Sequence, residues 1–407
     1  MPKPAILKRS LSLPMMVLYG LGTTIGAGIY ALIGELAAVS GYLAPASFLV
    51  ASLLAGLTAF SFAELSGRYP NAAGAALYTL KGFSSKNLST LVGLLVILAG
   101  LVSSAALVNA FTGYLNQLIE LDRVVLILLT ILLLGGFAAW GIVESVLITI
   151  TMTVIGIVGL ALIIFVGYEA LEKLPDMWPQ LIPSSDFTSW GFLFAGTLLA
   201  FYAFIGFEDM VDVAEEVKNV RRNLPLAILI TLIITTVLYL LIMSIAVLSI
   251  APKELAQSSA PLATLYQFHT GSDAQLITFI GMFAIIDGAI IQIIMASRVF
   301  YGLSRRGQLP KVLSTVHPKT QTPLYATAVA VLLVLIFALA GDLGSLAETT
   351  SMLMLMVFSL VNFSLWRVKK TQPNHDGFIN LPIWMPLIAG LVSSAFVLFE
   401  LYKLLLN

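Results

Sequence analysis

The sequence has no cysteine and only three histidines, and only 10% of its 407 residues are charged. The absence of cysteine excludes disulfides, iron–sulfur centres and thiol chemistry. His269, His317 and His375 are far apart along the chain, which argues against a metal site. No constellation of catalytic residues is present either. We therefore predict a protein that is not an enzyme and that holds no metal and no cofactor.

Several motifs of membrane and nucleotide-driven proteins are also missing. The sequence has no phosphate-binding loop, which argues against ATP-driven transport by this chain. It has no arginine-rich voltage-sensing helix and no Thr-Val-Gly-Tyr-Gly filter of the potassium-channel type. No nucleic-acid partner is expected.

Hydrophobic residues make up 59% of the chain, and its mean hydropathy is +0.99. Such values are typical of a polytopic membrane protein, because a helix needs about 20 apolar residues to cross a bilayer. All loops are short, so residues 1–407 are predicted to form a single transmembrane domain in the lipid bilayer. Eleven spans are predicted, at 13–38, 44–66, 88–116, 124–141, 146–168, 189–211, 225–249, 274–298, 323–341, 346–366 and 382–404.

The distribution of lysine and arginine predicts the orientation of these spans. If the N-terminus is cytoplasmic, all 21 basic residues fall on the cytoplasmic side except Arg123, Lys173, Lys253 and Lys403. Basic residues are concentrated in cytoplasmic loops. We therefore predict a cytoplasmic N-terminus, an external C-terminus and residence in the plasma (inner) membrane.

The spans divide into two sets of five, at residues 13–168 and 189–366. Because five is odd, the two sets have opposite topology, as in transporters built from inverted repeats. The first span of each set is interrupted near its centre, and such paired interruptions mark binding sites in these transporters. The extra span, 382–404, is predicted to serve packing or an oligomer contact. The second of these roles would produce a homodimer.

The first interruption is rich in glycine, with five glycines in residues 20–34. A break at Gly26, Ala27 and Gly28 would leave backbone N–H groups and a positive helix end free to bind a carboxylate. The alternative is close packing between helices, which also uses glycine.

The second interruption is the segment 200–209 in span 6. Unwound carbonyl groups at Tyr202, Ala203 and Ile205, next to Gly206, would suit a cationic amine. One end that binds anions and one that binds cations, a few ångströms apart, would together fit a zwitterionic amino acid.

Acidic residues inside membrane spans are costly and are treated as functional hypotheses. Glu208 lies at the second interruption, and Asp287 lies in the middle of span 8. Asp287 could bind a cation, bind the substrate amine or carry a coupling proton, and Glu208 is a second candidate for coupling. The alternative for Asp287 is a carboxyl that braces its helix through hydrogen bonds.

Other residues could line a pathway or act as a gate. Phe204 and Phe207 are large side chains at the second interruption, and at least one is expected to cap the substrate. Ser103, Asn109 and Thr350 are polar residues within spans 3 and 10. Hydrogen bonds between helices would explain these three polar residues equally well.

Four motifs resemble the amino acid–polyamine–organocation superfamily of permeases, and within it the branch similar to cationic amino acid transporters. They are Gly22–Tyr30; Phe201–Asp209 continuing through 214–225; Ala296–Pro310 closed by Thr322–Pro323; and the junction 64–78. Together they extend over most of residues 13–366.

The resemblance implies an all-α, leucine-transporter-like fold of five plus five helices, with helices 1 and 6 broken, that works by alternating access. It also implies that the substrate carboxylate meets Ala27 and Gly28 near Thr24, and that the amine meets the second interruption. Some proton-coupled relatives carry a lysine in span 5, whereas the aligned position here is Gly156. The coupling mechanism therefore does not carry over, and exchange without ion coupling stays open.

The sequence thus predicts a secondary transporter for amino acids or related amines. The alternatives are an amino acid sensor that does not transport and a potassium uptake permease of the same fold. Symport and antiport are both compatible with the sequence.

Overall fold

The computed structural model describes residues 9–71, 74–140, 146–305, 307, 309–318, 320, 322–373 and 378–406. The described residues are 84% helical, and they contain no β-strand, only a single bridge between Leu11 and Val217. The helices are α1 (Leu13–Ser40), α2 (Ala44–Arg68), α3 (Gly74–Phe83), α4 (Lys86–Asn116), α5 (Arg123–Trp140), α6 (Val146–Gly167), α7 (Leu174–Leu181), α8 (Phe187–Tyr202), α9 (Val220–Ser249), α10 (Pro252–Leu255), α11 (Pro261–Thr270), α12 (Gln275–Arg305), α13 (Leu324–Ala340), α14 (Leu343–Thr371) and α15 (Trp384–Leu406).

In the described part of the chain, eight segments are long and apolar enough to cross a membrane. The first of them, Leu13–Arg68, contains both α1 and α2, which are separated by the short 3₁₀ turn Gly41–Leu43. Two shorter apolar helices lie within α5 and α13. The eleven predicted spans coincide, in order, with α1, α2, α4, α5, α6, α8, α9, α12, α13, α14 and α15. The prediction of a helical membrane protein is confirmed.

Short helices connect several of these spans. Two of them, α10 and α11, lie between α9 and α12. The sequence did not predict α3, which packs along α14. At Gly82 a side chain would have its Cβ 2.5 Å from the Cα of Ser364, so glycine permits this close contact.

The predicted break in span 1 requires a correction, because α1 is one unbroken helix from Leu13 to Ser40. Its glycines serve close packing instead. A side chain at Gly28 would collide with the backbone of Ala203, and a Cβ at Gly34 would lie 3.1 Å from the carbonyl oxygen of Leu255. The alternative interpretation of the glycine-rich segment, close helix packing, therefore holds at these two positions.

The helix pairs in contact follow the pattern that the predicted repeat would produce. Helix α1 packs against α6 and α9, and its counterpart α8 packs against α14 and α2, which are the counterparts of α6 and α9. In the same way, α4 packs against α14 and α12 packs against α6. These pairs agree with five helices repeated twice, and the inverted topology itself stays a prediction.

A buried ion cluster joins three parts of the chain at one end of the bundle. Glu64 on α2 has a fully buried side chain, and its Oε1 lies 2.6 Å from both Arg68 Nη2 and Lys369 Nζ. Its Oε2 accepts the backbone N–H of Leu381 at 2.8 Å, and Lys369 also donates to Asn380 Oδ1 at 2.7 Å. The cluster thereby connects the ends of α2 and α14 to the segment that precedes α15.

Candidate substrate-binding site

The predicted break in span 6 is present. Helix α8 ends at Tyr202, and a 3₁₀ segment begins at Phe207. Gly206, between them, has φ +125° and ψ −24°, a backbone conformation that residues with a side chain rarely adopt. Every buried backbone N–H and C=O group here needs a hydrogen-bond partner within the protein, because no water is available inside a bilayer. The segment 203–206 is therefore the point at which this helix must find other hydrogen-bond partners.

Neighbouring groups supply these partners. The N–H groups of Ala203, Phe204 and Ile205 bond to carbonyls three residues before them, at 3.0–3.1 Å. The N–H of Gly206 donates to Glu208 Oε2 at 2.9 Å. Glu208, a predicted coupling residue, thus holds the break closed through its carboxylate.

Helix α1 and helix α9 hold the break from the other side. Thr23 Oγ1 donates to the Gly206 carbonyl at 2.9 Å. The hydroxyl of Tyr239 lies 3.0 Å from the carbonyl oxygens of both Thr24 and Ala203, so it joins α1 to the break. A hydroxyl has one proton and donates to one of these oxygens at a time.

The predicted backbone contacts for a substrate are mostly occupied by these internal bonds. The Tyr202 carbonyl accepts from Ile205 N–H, and the Ala203 carbonyl accepts from Tyr239. In an unbroken helix the N–H groups at 27 and 28 bond to carbonyls four residues earlier. The side-chain surroundings of Gly26 and Ala27 lie outside the described residues. A substrate can reach these backbone groups only if α1 or the break opens.

Two small cavities lie beside the break, with volumes of about 20 and 10 Å³. They share the lining residues Ser103, Ile205, Asp209 and Gln292. Both are far smaller than typical ligand pockets, which measure roughly 300–1,000 Å³. The centre of the bundle is therefore closed around the break.

The side chains around these two cavities are polar. Ser103 Oγ and Tyr202 Oη lie 3.0 Å apart and are hydrogen-bonded. The amide oxygen Oε1 of Gln292 is buried and has no hydrogen-bond partner among the described residues. Thr350 lines the smaller cavity. The structure thus brings five sequence-predicted residues to one place: Ser103, Tyr202, Ile205, Glu208 and Thr350.

Phe204 and Phe207 lie in the aromatic core and line neither of these cavities. Phe204 packs against Phe48 and Tyr239, with ring centroids 6.2 and 5.3 Å apart. The ring of Phe207 lies in a separate group with Phe62 and Phe358. Aromatic contacts of this kind are each worth about 0.5–1.5 kcal/mol beyond the burial of area. The predicted capping role for Phe204 or Phe207 stays a prediction.

Asp287 lies in a third small cavity, of about 10 Å³, between α1, α6 and α12. The same cavity is lined by Gly22, Thr153 and Gly156. Asp287 therefore lines the same cavity as Gly156, the position aligned with the lysine that the resemblance implies in some relatives. A cavity of this size holds about one water molecule or a single small ion.

Asn109 lies away from the break, at a larger cavity of about 320 Å³ near the end of α1. It holds the side chain of Arg123, whose Nη2 donates to Asn109 Oδ1 at 3.0 Å. Asn109 was predicted to line a pathway. In the structure it lines this larger cavity and not the cavities at the break.

The sequence did not single out Gln292 and Tyr239. Gln292 could have been found, because it is a lone amide in an apolar stretch five residues after Asp287. Tyr239 gave no comparable signal, because a single tyrosine in a membrane helix is common in cores and at interfaces.

The fold and the site define a multi-pass helical membrane protein with a helix broken at its centre beside small polar cavities. A sequence model described as amino acid permease matches residues 11–403. The chain belongs to the amino acid permease family, a family of transporters rather than of enzymes.

Named proteins of several organisms are similar to this chain. Cationic amino acid transporter 2, vacuolar, of Arabidopsis thaliana is 29% identical over 392 residues, which cover 91% of this chain and 61% of the plant protein. The branched-chain amino acid permease BcaP of Bacillus subtilis (strain 168) is 26% identical over 427 residues, covering 98% and 88% of the two chains. The methylthioribose transporter of the same strain is 26% identical over 430 residues, covering 99% and 90%. The chain spans less than two thirds of the plant protein's length.

Proposed function

We propose that this protein is a secondary transporter that moves amino acids or related amines across a membrane by alternating access. The observation that carries the proposal is the broken helix at 203–206, whose backbone is held by Thr23, Glu208 and Tyr239 next to polar cavities. Bonds of this kind can open to a ligand without unfolding a helix. The family of the chain and the names of its relatives support the same conclusion.

The substrate site is proposed at the break, with α1 opening at Gly26–Gly28 when a ligand binds. The amine would meet the carbonyl groups of Tyr202, Ala203 and Ile205, and the carboxylate would meet the N–H groups of Ala27 and Gly28, with Thr24 nearby. Ser103 and Gln292 line the adjoining cavities and would contact the rest of the molecule. A closed centre between two accessible states is what alternating access requires.

We further propose that the N-terminus is cytoplasmic and the C-terminus external, in the plasma (inner) membrane. The distribution of basic residues supports this orientation. The plant relative is named as vacuolar, so the membrane is an open part of the proposal. A homodimer through α15 also stays a prediction, because lipid and a partner would cover its exposed apolar side chains equally well.

Accumulation of labelled substrates in proteoliposomes tests the function. We expect proteoliposomes that contain the protein to accumulate at least one amino acid or amine. The same compound should raise the apparent Tm of the purified protein. A ligand that binds only the folded state stabilises it by RT ln(1 + [L]/Kd), about 2.7 kcal/mol at one hundred times Kd. Because one relative is named for methylthioribose, that compound belongs in the screen beside the twenty amino acids.

Two outcomes would contradict the transporter. Binding without accumulation of any compound would favour the amino acid sensor. Uptake of potassium alone, with no effect of amino acids on Tm, would favour the ion permease. Liposomes without protein and protein-containing liposomes without an ion gradient serve as controls.

Asp287 is proposed to load and release a coupling proton. Asp287 and Gly156 both line a cavity that holds about one small ion or water. If this is so, wild-type uptake falls as the external pH rises, because fewer protons are available to load the site. We expect Asp287→Asn to flatten this pH profile while leaving exchange of internal for external substrate intact.

Asp176→Asn is the matched control, because Asp176 is exposed on α7 and the charge change is the same. A pH profile in Asp287→Asn that matches wild type would exclude Asp287 as the coupling residue. Glu208, or transport without proton coupling, would then be the better account.

A further inference from the structure

The largest of the cavities described here lies away from the break. It has a volume of about 320 Å³ and is formed by the ends of α1 and α4, the starts of α5 and α14, and residues 256–259. It shares no lining residue with the two cavities beside the break. Its volume falls at the lower end of the range for small-molecule sites. The cavity is therefore a separate space that is large enough for one amino acid.

Charged side chains of both signs line this cavity. They are Glu35, Asp342 and Arg123, and Arg123 bonds to the carbonyl of Gly341, the residue before Asp342. No ion pair within 4.0 Å joins these three side chains in the described part of the chain. Their charges are therefore not neutralised by direct contact with one another, and the lining carries one net negative charge.

The carboxylate of Glu35 lies near the start of α14. A Cβ at Gly344 would lie 3.1 Å from Glu35 Oε2, so glycine allows this close approach. Glu35 is half-buried, and it makes no hydrogen bond with any described residue. Asp342 uses Oδ1 to accept Ser345 N–H at 2.9 Å and so caps α14. Glu35 is thus the carboxylate of the pair with the greater capacity to bind a ligand.

Arg123 is fixed in place by acceptors on two other elements. Its Nη2 donates to Asn109 Oδ1 at 3.0 Å and to the Gly341 carbonyl at 2.9 Å. Asn109 also donates to the Gly341 carbonyl, at 3.4 Å. A guanidinium held in this way keeps further N–H donors for a carboxylate.

We propose that this cavity is a second binding site, which takes the ammonium or guanidinium group of an amino acid at Glu35 and Asp342 and its carboxylate at Arg123. The proposal rests on the proposed function for its substrate class. Because the lining is net negative, the site binds cationic amino acids more tightly than neutral ones and excludes acidic ones. It would capture the substrate before the break opens.

Binding of L-lysine to the purified protein, measured by calorimetry, tests this site without relying on transport. We expect Glu35→Gln to raise the Kd for lysine about twofold to fivefold, as removal of one partner of a partly exposed charge pair does. Glu120→Gln is the matched control, because Glu120 is an exposed carboxylate between α4 and α5 that does not line the cavity. Its Kd for lysine should equal that of wild type.

A second variant keeps the test independent of any effect of Glu35→Gln on folding. Ala256 lines the cavity from a loop, so Ala256→Trp should fill the space and abolish lysine binding without disturbing a membrane span. Gln292→Ala alters the substrate site proposed at the break, so it tests the other location: lysine bound at Glu35 and Arg123 should keep its Kd in this variant. L-glutamate should not bind to this cavity in any of these proteins.

The outcomes separate this proposal from the proposed function. Wild-type affinity for lysine in both Glu35→Gln and Ala256→Trp, or no lysine binding by wild type, would overturn the second site. If only Gln292→Ala lost lysine binding, the lysine site would be assigned to the break and not to this cavity. If lysine binds at the cavity but no compound accumulates in proteoliposomes, the second site stands and the transporter fails.

Discussion

Replacing Glu64 with glutamine is expected to lower the free energy of unfolding by about 3–5 kcal/mol, as breaking a buried ion pair does. The change leaves Arg68 and Lys369 as buried cations that face a neutral amide, with side chains only 3% and 5% exposed. Because so little of either side chain is exposed, solvation compensates only weakly for the lost carboxylate. The apparent Tm of the purified protein, followed by tryptophan fluorescence, measures the effect.

The matched control is Glu254→Gln, since Glu254 is exposed on α10 and the substitution is the same. A Tm for Glu64→Gln that equals the Tm of this control would show that the cluster adds nothing to stability. The double variant Glu64→Gln with Lys369→Met gives a second check. Because it removes one unpaired cation, it should lose less stability than the two single changes added together.

The second large effect is expected at Gly206, where alanine should reduce transport more than tenfold and lower the apparent Tm. The φ of +125° disfavours a side chain, at a cost of about 1–3 kcal/mol. The new Cβ would also collide with the carbonyl of Thr23. Helix α1 must then move away from the break, and the bond from Thr23 Oγ1 to the Gly206 carbonyl is lost.

The variant Gly271→Ala separates the effect of backbone strain from the effect of the collision with α1. Gly271 also has a positive φ, +64°, but a Cβ there meets nothing within 4 Å. Gly271→Ala should therefore lose some stability and keep wild-type uptake in proteoliposomes. Equal losses of uptake and of Tm in Gly206→Ala and Gly271→Ala would show that the contact between α1 and the break is not required.

The break at 203–206 could be predicted from sequence because its cause is local. A glycine and two carboxylates interrupt an otherwise apolar span, and few continuous membrane helices tolerate that combination. The glycines of span 1 are a weaker signal, because glycine serves both broken helices and close helix packing. Gly28 illustrates the limit, since only the position of Ala203 reveals that it is a packing contact in this structure.

Residue roles at the site were harder to predict than the residues themselves. Phe204 and Phe207 lie at the break in sequence, yet their rings face two different parts of the aromatic core. Glu208 was predicted to be a candidate coupling residue, and here its carboxylate accepts the Gly206 N–H. In both cases the direction of the side chain depends on neighbouring helices that are distant in sequence.

The sequence by itself determined the class of protein, the eleven apolar segments and the interruption of span 6, since hydropathy and local backbone preference act within each segment. Only the tertiary structure decided that α1 is unbroken, that Asp287 and Gly156 line one cavity, and that Glu64 meets Lys369 across 305 residues. The physical reason is that membrane helices are apolar on every face, so hydrophobic periodicity does not reveal which face packs against which neighbour. Those contacts are set by the shapes of small residues and by a few buried polar groups.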